Sequence, residues 1–450
     1  EVMAIQTVIR SAFMRRMTSE RAEVRAIRKG RRQRDKSGRP VVHYFHGVAD
    51  PFSALAVQTL TTLSEAYSVD IRCHIASGAQ GDYIGDGERF DRWAFRDASD
   101  IAGFYGLGWP SSGELSSSSD FADALSALSS AGTTSDFASA ARRVFDSVAS
   151  DALGGSKSAS ESDSRAKITD QCAAFERGDA VAAGNKLRKS WGHYGTGMFY
   201  FEGQWYWGLD RLRVLERRLI AEGLASDNRG VIFPEPSADQ LPDLTSSDVE
   251  LEYFPSLRSP YTAIGHARVL DLIDRSNVRV NVRVVMPMMM RGVPAPTAKG
   301  QAIMTDAARE GRYFGSPMGR IVDPFGEPIK KAYAFLPELR ERGLLMPFVS
   351  EYLKAAWVEG VDVTREQGLS EVLQRAGCPA DVAPAAESEW RDEVEQNLAI
   401  MHEHDLWGVP SFRVTGGGRP PFACWGQDRI WRVSRELEAR GENAGLKVDS

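Results

Sequence analysis

One passage occurs twice in this chain without a gap, and it constrains the fold more than any other feature. Val41-Val42-His43-Tyr44-Phe45 runs through Asp50-Pro51 into apolar positions at Leu55, Leu60 and Leu63; Leu251-Glu252-Tyr253-Phe254 runs through Ser259-Pro260 into Val269 and Leu272. Tyr44 aligns with Tyr253, Phe45 with Phe254 and Pro51 with Pro260, each 209 positions on. The β-branched and aromatic run, the proline turn and the apolar spacing after it predict strand, turn and helix in both copies. A second strand follows in each, at Val69 to Ile75 and at Val278 to Val285.

A second shared block closes each copy. Phe199-Tyr200-Phe201 leads to Trp207-Gly208-Leu209-Asp210-Arg211 and a last helix, as Ser411-Phe412-Arg413-Val414 leads to Trp425-Gly426-Gln427-Asp428-Arg429 and another. Two blocks repeated in one order imply a duplication, so the chain reads as α/β with two tandem domains, each β-α-β, a helical insertion, then a hairpin and a helix. The expected organisation is a basic helical lead at 1–40, a first domain at 41–229, a linker at 230–247, a second domain at 248–440 and a tail at 441–450. The first insertion carries serine tracts at Ser116 to Ser119 and Ser156 to Ser164, read as flexible loops because they offer little to bury. The second shows helical patterns at Lys331 to Arg342, Phe348 to Trp357 and Glu389 to His402.

With 42% hydrophobic residues the chain has enough apolar material for real cores. It has no apolar run of membrane-spanning length, and the arginines of its opening stretch do not suit a signal peptide, so neither a membrane span nor secretion is expected. Four scattered cysteines, Cys73, Cys172, Cys378 and Cys424, form no CxxC pair, which fits a reducing, cytoplasmic setting. The net charge of −6 gives no general reason to expect nucleic acid, and the basic stretch from Arg25 to Arg39 lacks interleaved aromatics, so it reads as a solvated helix fraying into a linker.

Chemistry concentrates in the second copy. Ser259 stands where a strand ends and a helix begins, with Pro260 at the first helical position. Helix N–H groups and the positive end of the macrodipole converge there, so a thiolate held at Ser259 gains stabilisation and the hydroxyl can donate to it. Serine at that position also serves simply as an N-cap.

Tyr253-Phe254-Pro255-Ser256-Leu257-Arg258-Ser259-Pro260-Tyr261, Trp407-Gly408-Val409-Pro410-Ser411-Phe412 and Trp425-Gly426-Gln427-Asp428-Arg429 together resemble the 2-hydroxychromene-2-carboxylate isomerase family. That family belongs with kappa-class glutathione transferases in the DsbA-like branch of the thioredoxin fold. The resemblance covers most of residues 250 to 440 and, more weakly, the first copy. It implies two DsbA-like thioredoxin domains, the first degenerate, with glutathione as cofactor and Ser259 as the catalytic residue. Val409 and Pro410 would form a cis-proline loop pairing with the glutathione backbone, and Gln427 and Asp428 would hold the γ-glutamyl end. Tyr261, Lys299 and Trp425 are the weaker candidates for substrate binding. The family's asparagine in a Gly-Asn-x-Pro context is Val293 here, which removes one polar contact.

The bland readings stand beside these. Asp428-Arg429 is repeated as Asp210-Arg211, as an architectural ion pair would be, and Lys299 and Asp306 have the spacing of a solvated helix face. His402 and His404 lack a further ligand at metal spacing, Cys424 reads as a small buried residue, and Gly416 to Gly418 reads as a hairpin turn. The expectation is a glutathione-dependent isomerase or transferase acting on an aromatic or other unsaturated electrophile, with a homodimer as the candidate assembly. The alternatives are a non-catalytic binding or assembly protein and a thiol-disulfide oxidoreductase relative without the CxxC. At the proline-loop position the first copy is read as Gly192-His193-Tyr194-Gly195, so the first domain is expected to serve as scaffold.

Overall fold

The computed structural model describes residues 2–32, 38–79, 81–110, 118–153, 159–237, 240–443 and 445. The architecture is mixed α/β, with two four-stranded sheets. In the first, β1 (Val41–His46) pairs in parallel with β2 (Asp70–Ile75) and antiparallel with β3 (Met198–Phe201), which forms a hairpin with β4 (Gln204–Trp207). In the second, β5 (Glu250–Phe254) pairs in parallel with β6 (Arg279–Val282) and antiparallel with β7 (Ser411–Thr415), which continues to β8 (Phe422–Trp425). Both sheets therefore have one strand order, β2-β1-β3-β4 and β6-β5-β7-β8. The register agrees as well: Tyr44 lies opposite Phe199, and Tyr253 opposite Phe412.

The strand β6 is shorter than the alternation from Val278 to Val285 predicts. Beyond Val282 the chain keeps Val284 and Val285 buried and bonds to the end of β5 and the residue after it, Arg283 N–H to the Tyr253 carbonyl at 2.8 Å and Val285 N–H to that of Pro255 at 3.0 Å. Leu251, Tyr253, Phe412 and Val414 are fully buried against Val269 and Leu272 of the helix Pro260–Ser276 and Leu437 of the helix Ile430–Asn443. A second core fills the insertion, where Tyr333, Phe348, Tyr352 and Trp357 pack beneath Leu257 and Val284.

The helical stretch at Lys331 to Arg342 is two short helices, Glu327–Tyr333 and Leu336–Glu341. Leu345–Trp357 and Glu387–His402 form where periodicity places them, and Thr297–Tyr313 and Glu366–Arg375 are additional. The serine tracts are not wholly loop: Ser118 and Ser119 open the helix Ser118–Ser130, and 159–164 belong to Ala159–Glu176, the rest of both tracts lying outside the described residues. Serine costs a helix little, and the buried Phe121, Ala124, Leu125 and Leu128 give Ser118–Ser130 its apolar face. Arg25 to Arg31 are helical, within Glu20–Arg31, and 33–37 lie outside the described residues.

The chain divides into two compact units, which we call the Asp50 unit (23–84 and 91–235) and the Ser259 unit (1–22, 85–90 and 236–450). The lead segment is thus shared between them, and the segment read as a linker is anchored at each end. Ile232 and Phe233 N–H groups donate to the Glu216 carboxylate at 2.7 and 2.9 Å, while Leu244 is fully buried and its N–H reaches the Ser276 carbonyl at 2.7 Å. Among the described residues no helix is long and apolar enough to cross a membrane.

Candidate functional site in the Ser259 unit

Ser259 is the N-cap of the helix Pro260–Ser276, with extended backbone (φ −97°, ψ 122°) and Pro260 at the first helical position. Its Oγ accepts from the Thr262 N–H at 3.1 Å, and the Ser259 carbonyl takes the Ala263 N–H at 3.0 Å. The Ser259 hydroxyl donates to the Val409 carbonyl at 3.3 Å. Since O–H···O bonds centre near 2.7–2.8 Å, that contact is long, and its proton can turn toward a better acceptor. Ser259 is buried at 8% exposure, so charge placed beside it is poorly screened by water.

Val409 belongs to the loop between the helix Glu387–His402 and β7, and the Val409-Pro410 peptide is cis. Two arginines hold this loop: Arg89 donates to the His402 carbonyl at 2.7 Å and Arg291 to that of Trp407 at 2.7 Å. Desolvation, followed by the charges of Arg89 and Arg291, lowers the pKa of His402 to about 4, and burial lowers that of Arg291 to about 10. The Trp407 and Trp425 rings lie 5.0 Å apart. Gly408 is forced by the second of them, for a Cβ there would fall 1.9 Å from the Trp425 indole.

Gln427 is buried at 1% exposure and accepts from Arg268 through its side chain and, at 2.9 Å, through its carbonyl. Its Nε2 in turn donates to Oδ1 of the half-buried Asp428. The guanidinium of Arg268 rests 3.6 Å from the centre of the Phe314 ring. Gln427 thus fixes Asp428, while Arg429 donates to the Asp428 carbonyl at 3.0 Å. The same contact recurs from Arg211 to the Asp210 carbonyl at 3.4 Å, which marks the backbone part of this turn as architecture common to both copies.

The weaker candidates fall in two places. Tyr261 donates to Asp306 at 2.8 Å, and Arg309 holds the other oxygen of that carboxylate at 2.8 Å. Lys299 is buried, its Nζ 5.9 Å from the Trp407 ring centre, so a solvated face is the wrong description of it. Cys424 is buried, and Gly416 to Gly418 all have positive φ in a tight turn. Among the described residues no three His, Cys, Asp or Glu side chains cluster as metal ligands would.

In the Asp50 unit the same N-cap is a carboxylate. Asp50 accepts from the Phe52 and Ser53 N–H groups at 3.1 and 3.2 Å, from Ser53 Oγ at 2.6 Å and from Thr196 Oγ1 at 2.9 Å. Burial raises its pKa, and those four hydrogen bonds oppose the rise. Strand register corrects the loop assignment here: Phe45 faces Met198 as Phe254 faces Ser411, so Thr196-Gly197, not Gly192 to Gly195, stands where Val409-Pro410 stands. The Gly208 N–H donates to the Gly197 carbonyl at 2.8 Å, matching Gly426 to Pro410 at 2.8 Å.

With strand order, N-cap and loop in place, the comparison is decisive for one stretch. Residues 250–438 match the family model of the DSBA-like thioredoxin domain. The matched DSBA-like domain contains Ser259, Val409-Pro410 and Asp428. Among solved structures the chain is similar to 2-hydroxychromene-2-carboxylate isomerase (15% identity over 44% of this chain and 99% of that one, TM-score 0.34). It is also similar to the cytosolic disulfide reductase DsbM from Pseudomonas aeruginosa (17% identity over 43% and 97%, TM-score 0.33). No curated protein matches the chain.

Sequence reasoning missed Arg268, Arg291 and Arg89, which hold the DSBA-like domain's site from outside its motifs. The signal was faint: a lone arginine on a helix or loop becomes informative only when its backbone or ring partner is known.

Proposed function

We propose that the DSBA-like domain binds glutathione at Ser259 and acts as a glutathione-dependent isomerase or transferase on an aromatic or other unsaturated electrophile. The observation that carries this reading is the Ser259 hydroxyl, which caps a helix yet makes only a 3.3 Å contact with Val409. Its proton is available to a neighbouring anion, and the helix end favours that anion by about 0.3–1 kcal/mol or more when partly buried. The residues present fit the group: a hydroxyl donor for the sulfur, the Val409 backbone beside it, and Asp428 for an ammonium group. Glutathione bound here supplies a thiol that, once ionised to solvent, adds to an unsaturated carbon and is eliminated again for isomerisation, or retained for transfer.

The roles of this chain's residues follow from their contacts. Ser259 holds the sulfur as thiolate, the Arg268-Gln427 pair orients Asp428, and the Trp407-Trp425 pair shields the site from water. We further read the Asp50 unit as a degenerate thioredoxin-like scaffold, because the carboxylate at its N-cap would repel a thiolate. Thiol-disulfide exchange is disfavoured because the N-caps of the two corresponding helices are Ser259 and Asp50, so neither places a thiol at the helix end where its pKa would fall. The test is an ultraviolet titration of the glutathione thiolate with the full chain. The bound thiol should ionise at least one pH unit lower than free glutathione, about 1.4 kcal/mol, and should revert toward it in Ser259→Ala. An unshifted thiol in the wild-type complex would contradict the proposal.

A further inference from the structure

The Ser259 unit includes six residues from far upstream, Gly85–Phe90. They lie against the tryptophan side of the site. Gly85 has φ +92°, and a Cβ added to it would stand 2.6 Å from Val293 Cγ1 and 3.6 Å from the Trp407 ring. The segment's backbone is thus seated directly on Val293. Arg89 is braced by Asp86, its N–H and Nε donating to the two carboxylate oxygens at 3.1 and 3.0 Å, and it holds the His402 carbonyl. The Phe90 and Trp425 rings meet edge to face, with centres 6.5 Å apart at 81°. From Trp425 the path to Ser259 is short: the indole packs on Gly408, and the next residue, Val409, accepts the Ser259 hydroxyl.

We infer that Gly85–Phe90 is a strap that determines which group on the glutathione sulfur this site accepts, an inference that rests on the glutathione reading above. Phe90, Trp407 and Trp425 form an aromatic corner beside the Ser259–Val409 contact, and edge-to-face and offset rings favour a flat unsaturated group there over a branched aliphatic one. Val293 supplies an apolar seat for the strap where a polar side chain would need its own partner. Arg89 acts as a positioning residue, fixing both the strap and the start of the loop that ends at Val409.

Isothermal titration of the full chain with glutathione and with S-benzylglutathione tests this. Phe90→Ala should lose at least five times more affinity for S-benzylglutathione than for glutathione, with thermal unfolding used to confirm that the variant is folded. Arg89→Gln, which releases the strap from the His402 carbonyl, should show the same selective loss, and Arg89→Lys should restore part of it. Equal losses for both ligands, or none, in a chain that still binds glutathione would overturn the strap and leave the glutathione site standing. A wild-type chain that binds neither ligand would overturn both.

Discussion

Two N-cap residues with one geometry and different chemistry, Ser259 and Asp50, define the contrast between the two units. Each precedes a proline and satisfies the first free N–H groups of its helix, but Asp50 spends its acceptor capacity on Phe52, Ser53 and Thr196 whereas Ser259 keeps a donor. Ser259→Ala should lower a glutathione-dependent rate by tenfold or more, about 1.4 kcal/mol in barrier, and should cost about 1 kcal/mol of stability through the lost cap. Ser259→Asp separates the two effects, since aspartate caps as well as serine: melting should stay near wild type while the rate is lost to charge repulsion. Wild-type turnover in either variant would return Ser259 to a capping role. Asp428→Asn should weaken glutathione binding by about 1–3 kcal/mol, measured by titration. Unchanged affinity with a lower melting temperature would make Asp428 architectural. Ser259 was legible because its signal is local, a strand end followed by Ser-Pro. Arg268 and Arg291 were not, because their meaning lies in a carbonyl or a ring brought close by the fold.

Among the elements, the strands were the most readable, for β1 and β5 carry the same aromatic register and pair with the same kind of hairpin. The loop before the hairpin was misplaced in the first copy because loop length is free while strand register is not: Tyr44 opposite Phe199 fixes Thr196-Gly197 at the loop position. The insertion helices were legible only where an apolar face repeats; Thr297–Tyr313 buries Lys299, Arg309 and Glu310, so its buried side mimics a solvated one in sequence. The loop bearing Val409 is held from one side by Trp425 stacked on Gly408, with no room for a methyl group. Gly408→Ala should therefore destabilise the domain by about 1–3 kcal/mol through overpacking and weaken glutathione binding by displacing Val409. Denaturant unfolding and titration read both effects, and a variant with neither would show that the loop does not depend on this contact.

For the whole molecule, acid stability and ligand stoichiometry are two independent readouts. In the Asp50 unit, His46 is fully buried; Tyr44 donates its hydroxyl proton to the Ser53 carbonyl at 2.9 Å, so His46 Nδ1 donates to Tyr44 Oη and the buried Nε2 meets no partner among the described residues. Burial lowers the His46 pKa from 6.5 to about 3. The unfolded chain takes up this proton as pH falls below about 6.5, and the folded chain does not until about 3. The stabilisation is therefore complete above 6.5 and declines through that window by up to about 1.4 kcal/mol per pH unit. His46→Gln should reduce the proton uptake on unfolding at about pH 5 by close to one, and an unchanged uptake would show that His46 is protonated in the folded state. The central claim is that one of the two copies keeps a ligand site, and isothermal titration of the full chain with glutathione tests it most directly. The account predicts one glutathione per chain in the wild type and still one in Asp50→Ala. Two equivalent sites per chain, loss of binding in Asp50→Ala, or no binding at all would contradict it.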